Sequence, residues 1–318
     1  MNEPLVTVIC LCYNHALYLK ECIDSVVGQT YGSIEIIMID DGSTDDSALV
    51  MDKILSDYPK IQCIKLPENI GNCAAFNRGL EISKGKYIID LATDDILYKD
   101  RIEKQVGFFQ SLDERYGVIF SNSAYVDENG EFIKYHYEID STGRTIQTIP
   151  QGDIFSELIE TYFISTPSMM FKREVLEVLG GYDESLAYED YDFWIRSSRL
   201  FRYAYQDEVL TKVRRLKNSF SSRWYIPGDP QLESTFIICG KIVGLIENDK
   251  EKKALINRIK YEIRQSVFSE NFREADMFLK MLAELDEVNA FYKLLRAISR
   301  YRIRFSFLRN LYMKLRYA

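Results

Sequence analysis

Histidine is almost absent from this 318-residue chain: only His15 and His136 occur. A histidine-rich zinc site, or a catalytic pair of histidines, is excluded by counting. Six cysteines are present, Cys10, Cys12, Cys22, Cys63, Cys73 and Cys239. None forms a C-x-x-C pair and most sit in apolar runs, so buried, reduced thiols are the expectation. No stretch reaches the ~18 apolar residues of a membrane span. Residues 235–246 come nearest, and Lys241 interrupts them. The opening MNEPLVTVIC lacks the basic segment of a signal peptide, so a cytoplasmic location is expected. Positive charge is in deficit: 40 Lys and Arg stand against 48 Asp and Glu, a net charge of −8. That balance argues against nucleic acid as a partner. Neither G-x-G-x-x-G nor G-x-x-x-x-G-K-[ST] follows the first apolar run, which removes the main device of dinucleotide and P-loop sites.

What is present is a rhythm. Continuous Ile- and Val-rich runs cover Val6–Leu11, Ile34–Ile39, Ile61–Leu66, Tyr87–Leu91 and Val118–Phe120. Segments with helical spacing, 16–28, 44–56, 72–84 and 100–112, lie between them. Alternation of this kind predicts an α/β fold with a mostly parallel central sheet flanked by helices. Ligands of such sheets bind beyond the carboxyl ends of the strands, so the residues just after each run carry the chemistry. Later, Asp127-Glu128-Asn129-Gly130 signals a hairpin turn, and residues 153–225 read as mixed helix and strand. Strand signals vanish after about Gln231, and Phe278, Met281, Leu282 and Leu285 keep helical spacing. A boundary is expected in the cluster Ile226-Pro227-Gly228-Asp229-Pro230, dividing a catalytic domain, 1–226, from a helical region, 227–318.

Three constellations stand at strand ends. Leu11-Cys12-Tyr13-Asn14 puts an aromatic ring and an amide after the first run, suited to stacking on and bonding a base. Asp40-Asp41-Gly42-Ser43-Thr44-Asp45 follows the second. Ser43 with Asp46 fits a capping box, which leaves the two acids after the strand unexplained. Ala92-Thr93-Asp94-Asp95 follows the fourth. Adjacent carboxylates raise one another's pKa unless a cation neutralises them, and a hard divalent ion bound through oxygen is the natural partner. Further along, Gly180-Gly181-Tyr182-Asp183-Glu184 is followed by Glu189-Asp190-Tyr191-Asp192-Phe193-Trp194. Four acids between Glu184 and Asp192 exceed what compensating a helix dipole requires.

The segments VTVICLCYN, IEIIMIDDGSTDDS, ENIGNCAAFNRGLEISKGKYI, LATDD and GGYDESLAYEDYDFWIR occur in the order seen in family 2 inverting glycosyltransferases, over roughly residues 4–225. The ATDD form resembles the spore-coat polysaccharide transferase branch of that family. The resemblance implies the A-type nucleotide-diphospho-sugar transferase fold, and a hexosyl- or N-acetylhexosaminyltransferase using a nucleotide-sugar donor, most simply a UDP-sugar. It implies that Leu11, Tyr13 and Asn14 line the nucleotide pocket. Asp41 would accept from the uracil N3–H. Asn69 and Asn77 would border base and ribose, and Asp94 would face the ribose or sugar. Asp95 would hold Mn²⁺ or Mg²⁺ on the diphosphate, and Asp190 would be the general base. Three departures from the family pattern stand out: Ala92 in place of an acid, Phe76 in place of Arg, and Lys217 in place of a His in the late Arg215–Ser219 element. Lysine suits a phosphate as a point charge. A sugar nucleotidyltransferase would carry a Gly- and Arg/Lys-rich loop after the first strand, and LCYNHALYLK has none. A non-catalytic sugar- or nucleotide-binding module would not need Asp95 and Asp190 together.

The C-terminus reverses the charge. Residues 293–318 hold eight Lys and Arg and no acid, so 32 basic residues face 48 acidic ones in residues 1–292. Leu294, Ile298, Tyr301, Phe305, Leu308, Tyr312 and Leu315 form one apolar stripe with basic flanks. Such a helix suits an anionic membrane surface, where the acceptor would be a glycan or lipid-linked chain of surface polysaccharide synthesis. The same stripe also suits docking on the acidic remainder of the chain or on a second subunit, giving a homo-oligomer through the C-terminal helices.

Overall fold

A computed structural model describes residues 3–216, 225–286 and 288–304. Lys217 and the tail beyond Arg304 lie outside them. The chain divides into two compact units. The first comprises Met1–Ile154, Phe163–Ser185 and Asp192–Ser219; the second comprises Phe155–Tyr162, Leu186–Tyr191 and Phe220–Ala318.

The first unit is built on a sheet. The continuous apolar runs become β1 (Val6–Cys12), β2 (Ile34–Asp40), β3 (Gln62–Lys65) and β4 (Tyr87–Ala92). Between them lie α1 (Leu19–Val27), α2 (Ser47–Asp57) and α3 (Asn72–Ile82). β5 (Ile96–Leu97), α4 (Arg101–Ser111), β6 (Tyr116–Val126) and β7 (Phe132–Tyr135) follow. After them come β8 (Met170–Lys172), α6 (Arg173–Leu179), α7 (Asp190–Ser198), whose first two residues belong to the second unit, and β9 (Arg202–Arg214); α5 (Phe155–Glu160) belongs wholly to the second unit. Among the described residues these strands form one nine-stranded sheet ordered β3-β2-β1-β4-β8-β6-β9-β5, with β7 on β6. β3, β2, β1 and β4 are parallel, whereas β8 runs antiparallel to both β4 and β6. The sheet is therefore mixed, with a parallel half that carries the strand ends.

Burial explains the sequence pattern. Every residue of β1 is buried, as expected of a strand covered on both faces. Val8, Cys10 and Cys12 of β1 pack with Leu19, Cys22, Ile23 and Val26 of α1, and with Met51 and Ile54 of α2. The α1 residues are spaced i, i+3, i+4, i+7, so one stripe of the helix faces the sheet. All six cysteines are free thiols, five of them buried. The hairpin expected at 127–130 forms between β6 and β7, with Gly130 at φ 86°.

The second unit is helical. The Pro/Gly cluster leads into α8 (Pro230–Val243), whose cap Asp229 accepts from Gln231 N at 3.1 Å, with Pro230 in the first turn. Asn271 fixes that turn, accepting from Gly228 N at 2.6 Å and donating to the Ile226 carbonyl at 2.9 Å. α9 (Asp249–Phe268) is capped by Asn248 and α11 (Ala290–Arg300) by Asn289. α10 (Phe272–Leu285) buries Ala275, Phe278, Leu279 and Leu282. Its buried stripe is thus offset from the expected one, and Met281 and Leu285 are half-buried.

Candidate functional site

Sheet register places the strand-end residues side by side. Cys12 of β1 pairs with Asp40 of β2, and Leu11 pairs with Ile39 on one side and Ala92 of β4 on the other. Tyr13 and Asn14, Asp41, and Thr93-Asp94-Asp95 therefore leave three adjacent parallel strands at one edge. Leu11 itself is buried, and its carbonyl accepts from Thr93 N at 3.0 Å, so it belongs to the sheet. Tyr13 is 44% exposed at the rim.

Asn14 sits at φ 60°, a left-handed conformation that asparagine tolerates. Its N–H donates to Ser43 Oγ at 2.9 Å, and its Oδ1 accepts from Thr44 N at 2.8 Å. The end of β1 is thereby laced to the loop after β2. The same use of Ser43 undoes the expected capping box. Ser43 N donates to Asp40 Oδ1 at 3.0 Å, the helix starts at Ser47, and Asp45 accepts from Ser47 N at 2.9 Å. Ser43 and Asp46 are simply too early for the first turn.

Asp41 is buried. Its two oxygens accept from Ile70 N at 2.8 Å and Gly71 N at 3.1 Å. Burial raises its pKa, those two backbone donors pull it down, and the charge of Asp40 raises it. Gly42, at φ +68°, lies so close to Glu68 and Asn69 that any Cβ would strike their backbone. A glycine is required there on both counts. Asn69 joins the same loop, its Oδ1 accepting from Gly71 N at 3.2 Å.

Asn77 ties α3 to the loop after α6. Its Nδ2 donates to the Tyr182 carbonyl and to Glu184 Oε1, both at 2.9 Å, and its Oδ1 accepts from Tyr182 N at 2.9 Å. Phe76 is fully buried and stacks on Tyr182, centroids 4.2 Å apart. The Phe76-Asn77 pair thus clamps the Gly180–Glu184 loop onto α3. Gly181, at φ +82°, lets that loop approach Asn77, because a Cβ would lie 2.6 Å from Asn77 Oδ1. Two of the four clustered acids are explained in the same way: Glu184 takes Asn77, and buried Asp192 accepts from Arg196 Nε at 2.6 Å.

The Asp94-Asp95 pair is held by a residue the sequence reading missed. Arg214, at the end of β9, donates its backbone N–H to Asp95 Oδ1 at 2.9 Å and its Nε to the Asp94 carbonyl at 3.1 Å. Nη1 donates to the Asp127 and Glu128 carbonyls, and Nη2 to Glu21 at 2.8 Å. The guanidinium also lies 4.5 Å from the Tyr18 ring centroid. Its signal was its place directly before the Arg215–Ser219 element. His15, directly after Tyr13-Asn14, faces the same pair. Its Nδ1 is 3.0 Å from Thr93 Oγ1 and 3.8 Å from Asp94 Oδ1. Burial first, then the Asp94 charge, push the Asp95 carboxyl well above the usual range, while the Arg214 N–H opposes them.

Among the described residues no cluster of three His, Cys, Asp or Glu side chains suits a metal ion. Mg²⁺ and Mn²⁺ sites of the phosphate-bridging kind use one or two carboxylates and leave the other positions to water and phosphate. A buried carboxylate whose charge is opposed by its neighbour fits that requirement. Asp95, with Asp94 beside it, would hold such an ion. Asp190 opens α7 and is half-buried, and its Oδ1 accepts from Tyr191 N at 2.7 Å.

The comparisons bear on the family and the fold. The model of "Glycosyl transferase family 2" matches residues 7–180. The chain belongs to glycosyl transferase family 2. An uncharacterized glycosyltransferase of Rickettsia typhi is 34% identical over 216 residues, 67% of this chain and 64% of that protein. The chain thus spans just under two thirds of that relative's length. One of Haemophilus influenzae is 32% identical over 70% of this chain and 84% of its own. Among solved structures, S. aureus TarS 1-349 in complex with UDP-GlcNAc superposes with a TM-score of 0.67 at 18% identity, covering 94% of this chain and 88% of that one. The mannosyltransferase PcManGT of Pyrobaculum calidifontis, in complex with GDP-Man and Mn²⁺, gives 0.60 at 17% identity, covering 95% and 86%. These likenesses establish the A-type nucleotide-diphospho-sugar transferase fold. This family 2 chain keeps its acids where that fold keeps its strand ends.

Proposed function

We propose that this family 2 glycosyltransferase moves a hexosyl or N-acetylhexosaminyl group from a UDP-sugar, with inversion, to a hydroxyl of a glycan or lipid-linked acceptor in bacterial surface polysaccharide synthesis. The observation that carries the reading is the convergence of Asp41, Asn14 and Asp94-Asp95 on one edge of β2, β1 and β4. Asp41 offers carboxylate lone pairs to a uracil N3–H, beside the exposed Tyr13 ring. Asp95 would hold Mn²⁺ or Mg²⁺, which when bound supplies positive charge for the departing diphosphate. The acceptor oxygen forms its bond to the anomeric carbon as the bond to the diphosphate oxygen breaks on the opposite face. Asp190 takes the hydroxyl proton, a contribution of typically ~10²–10⁴-fold. Lys217, a candidate phosphate contact, lies outside the described residues. The domain reading assigns residues 1–226 to catalysis and residues 227–318 to a helical region.

The donor is tested by calorimetry with UDP and GDP, with and without Mn²⁺, followed by a panel of UDP-sugars. UDP binding strengthened by Mn²⁺ and weakened by Asp95→Ala is expected. Equal or tighter GDP binding overturns the base assignment, and indifference to metal overturns the role of Asp95.

The C-terminal region bears on where the acceptor is met. Among the described residues no helix is long and apolar enough to cross a membrane. α11 buries Tyr292, Leu295 and Ser299, while Leu294 is 58% and Tyr301 75% exposed. Of the apolar stripe, Leu294 and Tyr301 thus lie on the outward face beside Lys293, Arg296 and Arg300, with Ile298 half-buried, and we place this face on anionic lipid. Flotation on anionic liposomes should fade with salt and be lost on deleting residues 293–318. A protein that fails to float but dimerises through this segment would assign the stripe to a second subunit.

A further inference from the structure

The second unit holds a buried ion pair that the proposed chemistry does not use. Arg258 and Glu262 of α9 are 4% and 0% exposed, and Arg258 Nη2 meets Glu262 Oε1 at 2.6 Å. Around them Glu262 Oε2 and Ser266 Oγ find no hydrogen-bond partner among the described residues. A buried pair with unmet polar atoms adds little to stability, and replacement by apolar groups of similar size is often neutral or better. Its geometry points elsewhere. The guanidinium carbon lies 3.9 Å from the Tyr162 ring centroid and 5.0 Å from that of Tyr191. Tyr191 is fully buried, edge-on to Tyr162, and donates its hydroxyl to the Ile159 carbonyl at 3.1 Å. It is the residue after Asp190, and its N–H is the donor to the Asp190 carboxylate.

The other side of Asp190 is tied to α8. Ala187 N donates to Ser234 Oγ at 2.9 Å. Thr235 Oγ1 donates to the Gln231 carbonyl at 2.8 Å, so the 2.6 Å contact between Tyr188 and Thr235 is a bond donated by the tyrosine. Residues 187, 188 and 191 are therefore fixed by α8 and α9, and Asp190 lies between the fixed points.

We infer that Arg258, with Glu262, and Thr235 are positioning residues: the C-terminal helices act as a clamp that holds the Ala187–Tyr191 segment so that Asp190 meets the acceptor hydroxyl. This rests on the reading of Asp190 as the general base. A misplacement of about 1 Å can cost up to ~10²-fold in rate, so loss of one anchor is expected to cost about tenfold.

The test uses the full chain with two variants, the paired Arg258→Met/Glu262→Leu and the near-isosteric Thr235→Val. Thermal midpoints, hydrogen exchange at the amides of residues 187–191, and turnover of UDP-glucose and UDP-N-acetylglucosamine are measured. The expected result is a midpoint no lower than wild type for the paired variant, exchange at 187–191 raised about tenfold or more in both variants, and kcat lowered about tenfold with donor KM within twofold. In an Asp190→Asn background neither variant should lower turnover further. Unchanged exchange at 187–191 overturns the clamp, with or without turnover of either sugar. A fall in midpoint with donor KM and kcat moving together, or an equal loss in the Asp190→Asn background, overturns it as well. Full turnover by Asp190→Asn alone would instead remove the base reading and leave the exchange result standing.

Discussion

Arg214 is the residue whose removal the structure prices most directly. In Arg214→Met the aliphatic stem remains, but three backbone carbonyls, Asp94, Asp127 and Glu128, lose the guanidinium donors at 3.1, 3.2 and 3.1 Å. At about 1 kcal/mol net for each hydrogen bond removed, these come to roughly 3 kcal/mol. The cation–π contact with Tyr18 adds about 0.5–1 kcal/mol. The ion pair with Glu21 adds close to nothing, because that carboxylate is 59% exposed and water replaces its partner. The expected loss is about 3–4 kcal/mol in the first unit. At a urea slope of about 3 kcal/mol/M this lowers the unfolding midpoint by roughly 1 M. Asp95 Oδ1, however, accepts from the backbone N–H of residue 214, and methionine keeps that bond. Stability should therefore fall much further than the Mn²⁺-dependent affinity for UDP, which should change less than about tenfold. A midpoint within 0.2 M of wild type, on the order of the ~0.5 kcal/mol left by a neutral surface change, would refute the reasoning. So would a Mn²⁺-dependent UDP affinity that collapses while the midpoint holds.

Asn77→Ala removes three hydrogen bonds to the Tyr182–Glu184 loop and should cost about 2–3 kcal/mol, with raised amide exchange confined to residues 180–184; uniform exchange would count against the clamp. Gly42→Ala forces a side chain into the Glu68-Asn69 backbone at φ +68° and should weaken UDP binding at least tenfold while the exchange of β1 and β2 stays unchanged; normal affinity would show that the 68–71 loop does not shape the pocket. His136 is half-buried, and in its neutral form its Nδ1 accepts from the Tyr125 hydroxyl at 2.6 Å and its Nε2 donates to the Phe163 carbonyl at 2.7 Å. Burial lowers its pKa below the usual 6.5. The unfolded chain therefore takes up a proton first, so stability from this group is present above about pH 6.5 and is lost as pH falls through the lowered folded value. Thermal midpoints from pH 8 to 5 should fall more steeply for wild type than for His136→Asn, and parallel curves would contradict the assignment.

The parallel half of the fold was readable because its strands are buried on both faces and leave unbroken apolar runs. The positions of Tyr13, Asn14, Asp41, Asp94 and Asp95 follow from that alone. The antiparallel half was less so. β9 alternates apolar with charged and polar residues through Gln206-Asp207-Glu208, so it shows no run, and β8 has only three residues. Asn77 and Phe76 could not be placed from local spacing, since their partner Tyr182 lies more than a hundred residues away. Arg214 was hidden for the same reason: its bonds reach Glu21, Asp94 and Asp127, each set by strand order. In α11 the buried residues are Tyr292, Leu295 and Ser299, none of which belongs to the expected apolar stripe.

Asp190 carries the central claim, and one comparison tests it. Wild type, Asp190→Asn and Asp190→Ala are assayed for sugar transfer with the UDP-sugar that the panel identifies, alongside calorimetric binding of UDP with Mn²⁺. Both variants should bind UDP near normally and lose transfer by ~10²-fold or more. Transfer retained at the wild-type rate in both would contradict the account.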